Sequence, residues 1–194
     1  MTTAATLVAA LMLAAGAQAT VSPVAGQRDG LLDITVTDVR APAVQVKIAG
    51  GAASLGKWFG WVPLVQTGPS SWHSVLRAPG FLGVYPLQVR TASKTVEAGP
   101  IVRILPPGFG KQPAFFTPAE VADWWARTST AQGKLVGAAE WHSGLFTHRD
   151  PRFNRLVRAT VELPGQPGTE TMYVSVARLR ADGPWRLLEA VPTP

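Results

Sequence analysis

Four side chains of the types that ligate metal ions lie within eleven residues of the C-terminal half. They form two pairs, Glu140 with His142 and His148 with Asp150, and one residue separates the members of each pair. On a β-strand such side chains share a face, so each pair could present two ligands together. Zinc and copper need three or four ligands, and none of the ligand spacings of known metal motifs occurs here. The favoured interpretation is a polar loop with surface histidines, and a metal site is the alternative.

Signatures of enzyme catalysis are missing from the sequence. There is no cysteine and no G-x-S-x-G motif. His148-Arg149-Asp150 followed by Asn154 is similar to a kinase catalytic loop, but the spacing is one residue short and no glycine-rich loop accompanies it. Asp150 before Pro151 instead predicts a turn. We therefore expect a non-enzymatic protein without a cofactor. A catalytic role would require a cleft in which a histidine meets a carboxylate and a hydroxyl.

Aromatic residues form a first candidate binding surface at Trp58, Phe59 and Trp61, around Gly60. Strand alternation would place Phe59 and Trp61 on one face and Trp58 on the other. At least one aromatic then belongs to the core, with Trp58 and Trp61 as equal candidates for a core tryptophan. The opposite face is available for contact with a partner.

A second group of aromatics is Trp124, Trp125 and Tyr173. Core packing is the favoured interpretation of the two tryptophans, because large aromatic residues are usually buried. The alternative is a small-ligand pocket between the helix predicted below and the C-terminal sheet, with the two C-terminal histidines near its mouth.

The N-terminus has the pattern of a secretory signal peptide. Residues 1–19 carry no charge, residues 7–15 are apolar, and a small-x-small site predicts cleavage after Ala19. The expected basic residue near Met1 is missing, so an uncleaved anchor stays open, although the apolar run is shorter than the roughly 20 residues of a membrane span. We expect a secreted or extracytoplasmic protein, in the periplasm or at the cell surface. Export without disulfides suggests a bacterial source.

Composition limits the partners. The chain has 194 residues with 46% hydrophobic and 15% charged residues, which excludes a disordered chain. Its net charge of +6 comes from scattered cations, which favours a basic surface over specific nucleic-acid binding. Anionic or carbohydrate envelope polymers remain partners that fit this charge. Most cations are arginine and asparagine is rare, which is typical either of a heat-adapted protein or of a GC-rich genome.

Residues 27–106 form a block of predicted short strands. Leu32, Ile34 and Val36 alternate with polar residues, as in a half-buried strand. Turn signals separate successive strands by 8–15 residues, a spacing that favours a sandwich or barrel. The predicted strands cover residues 32–36, 44–48, 58–65, 71–76, 84–91 and 101–105.

The pattern Gly83-x-Tyr85-x-Leu87-x-Val89 resembles the penultimate strand of immunoglobulin-like and fibronectin type III-like domains. The resemblance covers about 75 residues and implies an antiparallel β-sandwich in which the Tyr85 hydroxyl hydrogen-bonds back to the chain. It is a likeness of fold alone and implies no function.

A Pro/Gly-rich hinge at 107–110 separates this block from a predicted α+β domain at 111–194. Thr117 is the predicted N-cap, with Pro118 at the first helical position and Glu120 completing a capping box. The helix is predicted to end by residue 132.

Two further features of the predicted helix concern its packing. Phe116 and Val121 are positioned to form a hydrophobic staple. The spacing of Val121, Trp124, Trp125 and Thr128 predicts that these residues form the inward stripe.

The last part of the chain alternates like strands at residues 157–163, 172–179 and 185–191. One helix on an antiparallel sheet is similar to the cone-shaped domains of the nuclear transport factor and cystatin folds. Domains of this kind often hold a small ligand between helix and sheet, and many serve only as spacers.

The expected architecture is therefore mainly β: an N-terminal immunoglobulin-like sandwich followed by a smaller α+β domain. We expect an exported binding or assembly module of the cell envelope that contacts an envelope or surface protein, or a surface polymer. The alternative function is a small-ligand or metal carrier that uses the C-terminal domain.

Overall fold

A computed structural model describes most of the chain, in two compact units, Met1–Leu105 and Pro106–Pro194. With 52% strand and 10% helix, it confirms the predicted mainly β class with a single α-helix on an antiparallel sheet. The described residues are 9–12, 18–22, 25–26, 28, 30–48, 60–98, 101–129, 132–141 and 150–193.

The first unit is built from short strands in three sheets. Their orders are β1-β2-β4-β8-β7, β11-β10-β5-β6 and β3-β12-β9. All neighbours pair antiparallel except β3 and β12, which are parallel. The strands are β1 (Ala9–Met12), β2 (Gln18–Ser22), β3 (Ala25–Gly26), β4 (Leu31–Thr37), β5 (Gln45–Ile48), β6 (Val62–Pro63), β7 (Val65–Gly68), β8 (Ser71–Arg77), β9 (Gly83–Tyr85), β10 (Leu87–Arg90), β11 (Thr95–Glu97) and β12 (Val102–Ile104).

Alternation explains which face of each strand is buried. In β4, the predicted apolar positions Leu32, Ile34 and Val36 are fully buried. In the second sheet, Val46 of β5 lies opposite Val89 of β10, and both are buried. Sheets that each bury one apolar face are compatible with a β-sandwich.

Tyr85 makes the predicted hydrogen bond to the chain. Its ring is buried, and its hydroxyl donates to the carbonyl oxygen of Phe81 at 2.9 Å. The buried tryptophan among the described residues of this unit is Trp72 on β8, whose Nε1 donates to the carbonyl of Val39 at 3.0 Å. Of the two equal candidates for a core tryptophan, Trp61 is only half-buried and Trp58 lies outside the described residues.

The second unit packs one helix against a four-stranded meander. A short 3-10 helix (Phe109–Lys111) precedes α1 (Pro118–Thr128). The strands pair antiparallel in the order β13-β14-β15-β16. They are β13 (Lys134–Glu140), β14 (Asn154–Glu162), β15 (Thr169–Ala177) and β16 (Arg186–Pro192). No helix in the described ranges is long and apolar enough to cross a membrane.

The start of α1 agrees with the sequence in one respect and differs in another. The capping box is formed: the Thr117 hydroxyl accepts from the Glu120 amide at 3.3 Å, and the Glu120 carboxylate accepts from the Thr117 amide at 3.2 Å. The predicted staple is not formed, because Phe116 is 92% exposed while Val121 is buried. Phe115 packs against the core instead, and its backbone pairs with that of Trp185.

The buried stripe of α1 also differs from the predicted one. Pro118, Val121, Ala122 and Ala126 are buried, while Thr128 is exposed. The stripe is formed mainly by small residues, because alanines allow the helix to lie close to the sheet. The helix ends at Thr128, four residues before the predicted limit.

Candidate functional site

Of the predicted aromatic surface, only Trp61 can be placed. Trp58 and Phe59 lie outside the described residues. Trp61 immediately precedes β6, whose Val62 lies opposite the buried Val46. Trp61 is therefore on the outer face of its sheet.

An arginine covers Trp61 on that face. The guanidinium carbon of Arg90 lies 4.3 Å from the centroid of the Trp61 ring. Nε of Arg90 donates to Gln45 Oε1 at 3.0 Å, and Nη2 donates to the same oxygen. We call these three residues the Trp61 cluster. No acidic partner of Arg90 occurs within the part of the chain that the structure describes, so its charge is held in place by a ring and a neutral amide.

The three residues of the predicted ligand pocket do not come together. Trp125 packs against the core between α1 and the sheet, and Trp124 lies against Phe115 with ring centroids 5.8 Å apart. Tyr173 is on β15 between Met172 and the fully buried Val174. Because Val174 faces α1, Tyr173 faces the other side of the sheet.

Side chains fill the space between α1 and the sheet. The cluster there consists of fully or almost fully buried residues, with Trp125 and Phe115 packed against it. Its members are Val121, Ala122, Ala126, Val157, Ala159, Val161, Val174, Val176 and Trp185. This arrangement gives the carrier alternative no support.

The face of the sheet opposite α1 carries Tyr173 together with residues that the sequence analysis did not single out. The strand register places Ala139, Arg158, Tyr173 and Val191 in one row across all four strands. Trp141 follows β13 and its amide donates to the carbonyl of Leu156, so it joins the neighbouring row. No strand was predicted at 134–140, because the small residues in this segment give no clear alternation. Without that strand, the position of Trp141 on the sheet could not be predicted.

Three of these side chains form an aromatic and cationic patch. The rings of Trp141 and Tyr173 are stacked, with centroids 6.4 Å apart and an angle of 29° between the planes. The guanidinium carbon of Arg158 lies 5.3 Å from the centroid of the Trp141 ring. Trp141 is 37% exposed and Val191 beside Tyr173 is 40% exposed. We call Trp141, Tyr173 and Arg158 the Trp141 patch.

The two acidic residues of the metal alternative have arginine partners. Glu140 pairs with Arg155 at 3.3 Å. Asp150 accepts from the Arg152 amide at 2.9 Å and from the Arg152 guanidinium. His142 and His148 lie outside the described residues, and the described residues contain no group of three or more potential ligands.

Asp150 closes a turn, as its place before Pro151 predicted. Its backbone carbonyl accepts from the amides of Phe153 and Asn154. Burial alone would raise the pKa of the Asp150 carboxyl, but the hydrogen bonds and positive charge of Arg152 outweigh it, so the pKa is lowered. The carboxylate therefore stabilises a turn.

A histidine–carboxylate pair lies on the outer face of the first sheet. His73 on β8 contacts Asp33 on β4, and both side chains are substantially exposed. Thr35 lies directly opposite His73 in the register. These side chains lie on an outer sheet face rather than in a cleft, and both are substantially exposed.

Comparison with known proteins adds no relative: no family model, curated protein or solved structure matches this chain.

Proposed function

We propose that this protein is an exported, non-enzymatic binding module that contacts a partner protein of the cell envelope through the Trp61 cluster. The observation that carries the proposal is the fixed position of Arg90 over Trp61 on an outer sheet face. Tryptophan and arginine are two of the residue types that dominate the binding energy of protein interfaces.

The geometry of the cluster supports this role for two reasons. Arg90 gives up little conformational freedom on binding, because Trp61 and Gln45 already hold its side chain. Only two of its nitrogens donate to Gln45, so the remaining N–H groups can donate to a carboxylate or a carbonyl of a partner. Lys47 is on the same face, two residues from Gln45, and adds positive charge.

We also assign the first unit to the immunoglobulin-like architecture. The order β2-β4-β8-β7 corresponds to strands A, B, E and D of such domains, and β11-β10-β5 corresponds to G, F and C. The hydrogen bond from Tyr85 to Phe81 supports the assignment, since a tyrosine at this corner is typical of these domains. Immunoglobulin-like domains serve many unrelated functions, so the proposed function depends on the Trp61 cluster and not on the fold.

Export is the second part of the proposal, and it depends on the leader pattern of residues 1–19. Gln18–Ser22 forms β2, in which Ala19 is buried opposite Val36. Cleavage after Ala19 would leave residues 20–22 to pair with β4. Expression of the full chain in bacteria, followed by fractionation and N-terminal mass measurement, tests this part. A chain beginning at Thr20 outside the cytosol supports export, and the intact chain free in the cytosol contradicts it.

Comparative capture from envelope extracts tests the contact surface. The bait is the exported chain, and the variants are Trp61→Ala and Arg90→Gln. Arg40→Gln is the matched control, because it removes one exposed positive charge from a loop. We expect a partner protein that the wild type and the control both retain and that both cluster variants lose. Recovery of the wild-type protein alone, or equal retention by all variants, would contradict the proposal.

A further inference from the structure

The Trp141 patch is a second exposed aromatic and cationic surface, in the other unit of the chain. We infer that it binds an acidic polysaccharide, whose sugar rings stack on Trp141 and Tyr173 and whose carboxylate pairs with Arg158. The patch consists of residues other than those of the Trp61 cluster and takes a different class of ligand, so the inference goes beyond the proposed function.

The charge at the patch favours an anionic ligand. Arg158 is exposed, and its neighbours in the register, Ala139 and Tyr173, are uncharged. Glu189 lies on the same face, two residues from Val191, and has an interaction of its own. No carboxylate pairs with Arg158 among the described residues, whereas Arg155 on the same strand is paired with Glu140. Since the whole chain has a net charge of +6, an acidic ligand is attracted to it at long range as well.

The aromatic rings favour a sugar. The C–H groups on one side of a pyranose ring carry partial positive charge, which complements the negative face of an aromatic ring. Trp141, more than a third exposed, provides such a ring, and the ring of Tyr173 lies beside it with the centroids 6.4 Å apart. A row of Thr160 and Thr171 on the adjoining strands presents hydroxyl groups on the same face.

The position of the patch in the sheet argues against an acidic peptide as the ligand. An extended peptide usually binds a sheet by adding to an edge, where main-chain groups are unpaired. Arg158 and Tyr173 are on the two central strands, whose main chains pair on both sides. At these two strands, a ligand on the face opposite α1 can contact only side chains. Aromatic rings can contact sugar rings in this way, and an arginine can contact a carboxylate.

Size and charge argue against other occupants. Three side chains and the flanking Val191 are far fewer than the 20–30 residues on each side of a standard protein interface. A second copy related by a two-fold axis would bring the Arg158 side chains of both copies to the same surface, which is unfavourable for like charges. The row across four strands is about 14 Å wide, given a strand spacing of about 4.8 Å, and accommodates a short run of sugar rings.

Titration of the full chain with polygalacturonate tests the inference, with neutral dextran and polyglutamate as comparison ligands. Calorimetry at low ionic strength gives the affinity of each. We expect binding to polygalacturonate, no binding to dextran, and clearly weaker binding to polyglutamate. Arg158→Gln and Trp141→Ala should each weaken the binding of polygalacturonate by about tenfold or more, as expected for loss of a charge-assisted hydrogen bond or a stacking contact.

Two control variants separate a specific site from general charge attraction. Arg127→Gln removes one exposed positive charge from α1, which covers the opposite face of the sheet. Phe116→Ala removes an exposed aromatic ring away from the patch. Both should retain affinity within about twofold, because neither side chain touches the patch. Absence of binding to polygalacturonate, equal loss with Arg127→Gln and Arg158→Gln, or equally tight binding of polyglutamate would each overturn the inference. None of these outcomes bears on the Trp61 cluster, which has its own capture experiment.

Discussion

The two adjacent phenylalanines before α1 have different environments, so truncating each of them in turn tests how this segment packs against the core. The capping motif predicts that Phe116 packs against the helix, but its side chain is 92% exposed. Phe115 instead packs against the core and lies 5.8 Å from the ring of Trp124. We predict that Phe115→Ala destabilises the protein strongly and that Phe116→Ala has almost no effect.

The expected size of the effect follows from burial. Truncation of a fully buried phenylalanine to alanine costs about 3–5 kcal/mol. Phe115 is half-buried, so about 2 kcal/mol is expected from lost burial. Loss of the aromatic contact with Trp124 adds about 0.5–1 kcal/mol. Phe116→Ala should stay within about 0.5 kcal/mol, as is usual for an exposed side chain.

Scanning calorimetry of the full chain measures both variants against the wild type. For a unit of this size, 1 kcal/mol corresponds to about 4–8 °C in the midpoint of unfolding. Phe115→Ala should therefore lower the transition of the second unit by about 10 °C or more, while Phe116→Ala leaves it nearly unchanged. Equal losses from the two variants, or a larger loss from Phe116→Ala, would contradict the reasoning that Phe115 and not Phe116 packs against the core.

Three further changes have expected outcomes. Tyr85→Phe removes the hydrogen bond to Phe81 and should lower the free energy of unfolding by about 1 kcal/mol in a urea titration; no change would mean that this bond contributes nothing. Thr117→Ala removes the N-cap and should cost about 1 kcal/mol in the same assay, with a loss below about 0.3 kcal/mol contradicting the capping geometry. Folding lowers the pKa of Asp150. The ionised carboxylate therefore stabilises the folded protein fully above its pKa in the unfolded chain, near 3.9, and this stabilisation is lost as the pH falls through its pKa in the folded protein. Urea titrations across this acid range should show a smaller pH dependence for Asp150→Asn than for the wild type, and identical slopes would contradict the role of Arg152.

Much of the fold follows from local patterns in the sequence. Alternation identified β4 and β5 because each strand buries one face and exposes the other. The Thr117 cap was identifiable because it depends on residues within one turn. The Tyr85 hydrogen bond was implied by the resemblance of residues 83–89 to immunoglobulin-like domains, and its acceptor is the carbonyl of Phe81.

Features that depend on contacts between distant residues were not predictable. The rotation of α1 is set by which of its side chains fit against the sheet: Ala122 and Ala126 are fully buried there, and Trp125 is partly buried against the same core. The strand β13 was missed because Leu135 is followed by small residues and a bulge rather than by alternation. The alternative pocket included Tyr173, but Tyr173 lies on the face opposite α1, because its neighbour Val174 in β15 joins the core.

The candidate sites show the same limit. Trp61 was singled out by its aromatic neighbours, yet Arg90 and Gln45 reach it only through strand pairing. Trp141 and Arg158 are 17 positions apart in the sequence and are brought together by the pairing of β13 and β14. No local pattern indicates such a contact, because the register that creates it is set by the burial of other residues.

Trp61 and Trp141 lie on outer sheet faces, one in each unit, and are less buried than the core tryptophans. The buried tryptophans have clear structural roles: Trp72 fills the core of the first unit and donates a hydrogen bond to Val39, and Trp185 belongs to the core beneath α1. Trp61 and Trp141 bury less of their surface, and a cation–π contact in an exposed position contributes only about 0.5–1 kcal/mol. A polar residue at either position would cost the fold little and would avoid exposed apolar surface. Each ring lies beside a guanidinium on an outer sheet face, and this arrangement is the reason for proposing a ligand at each of them.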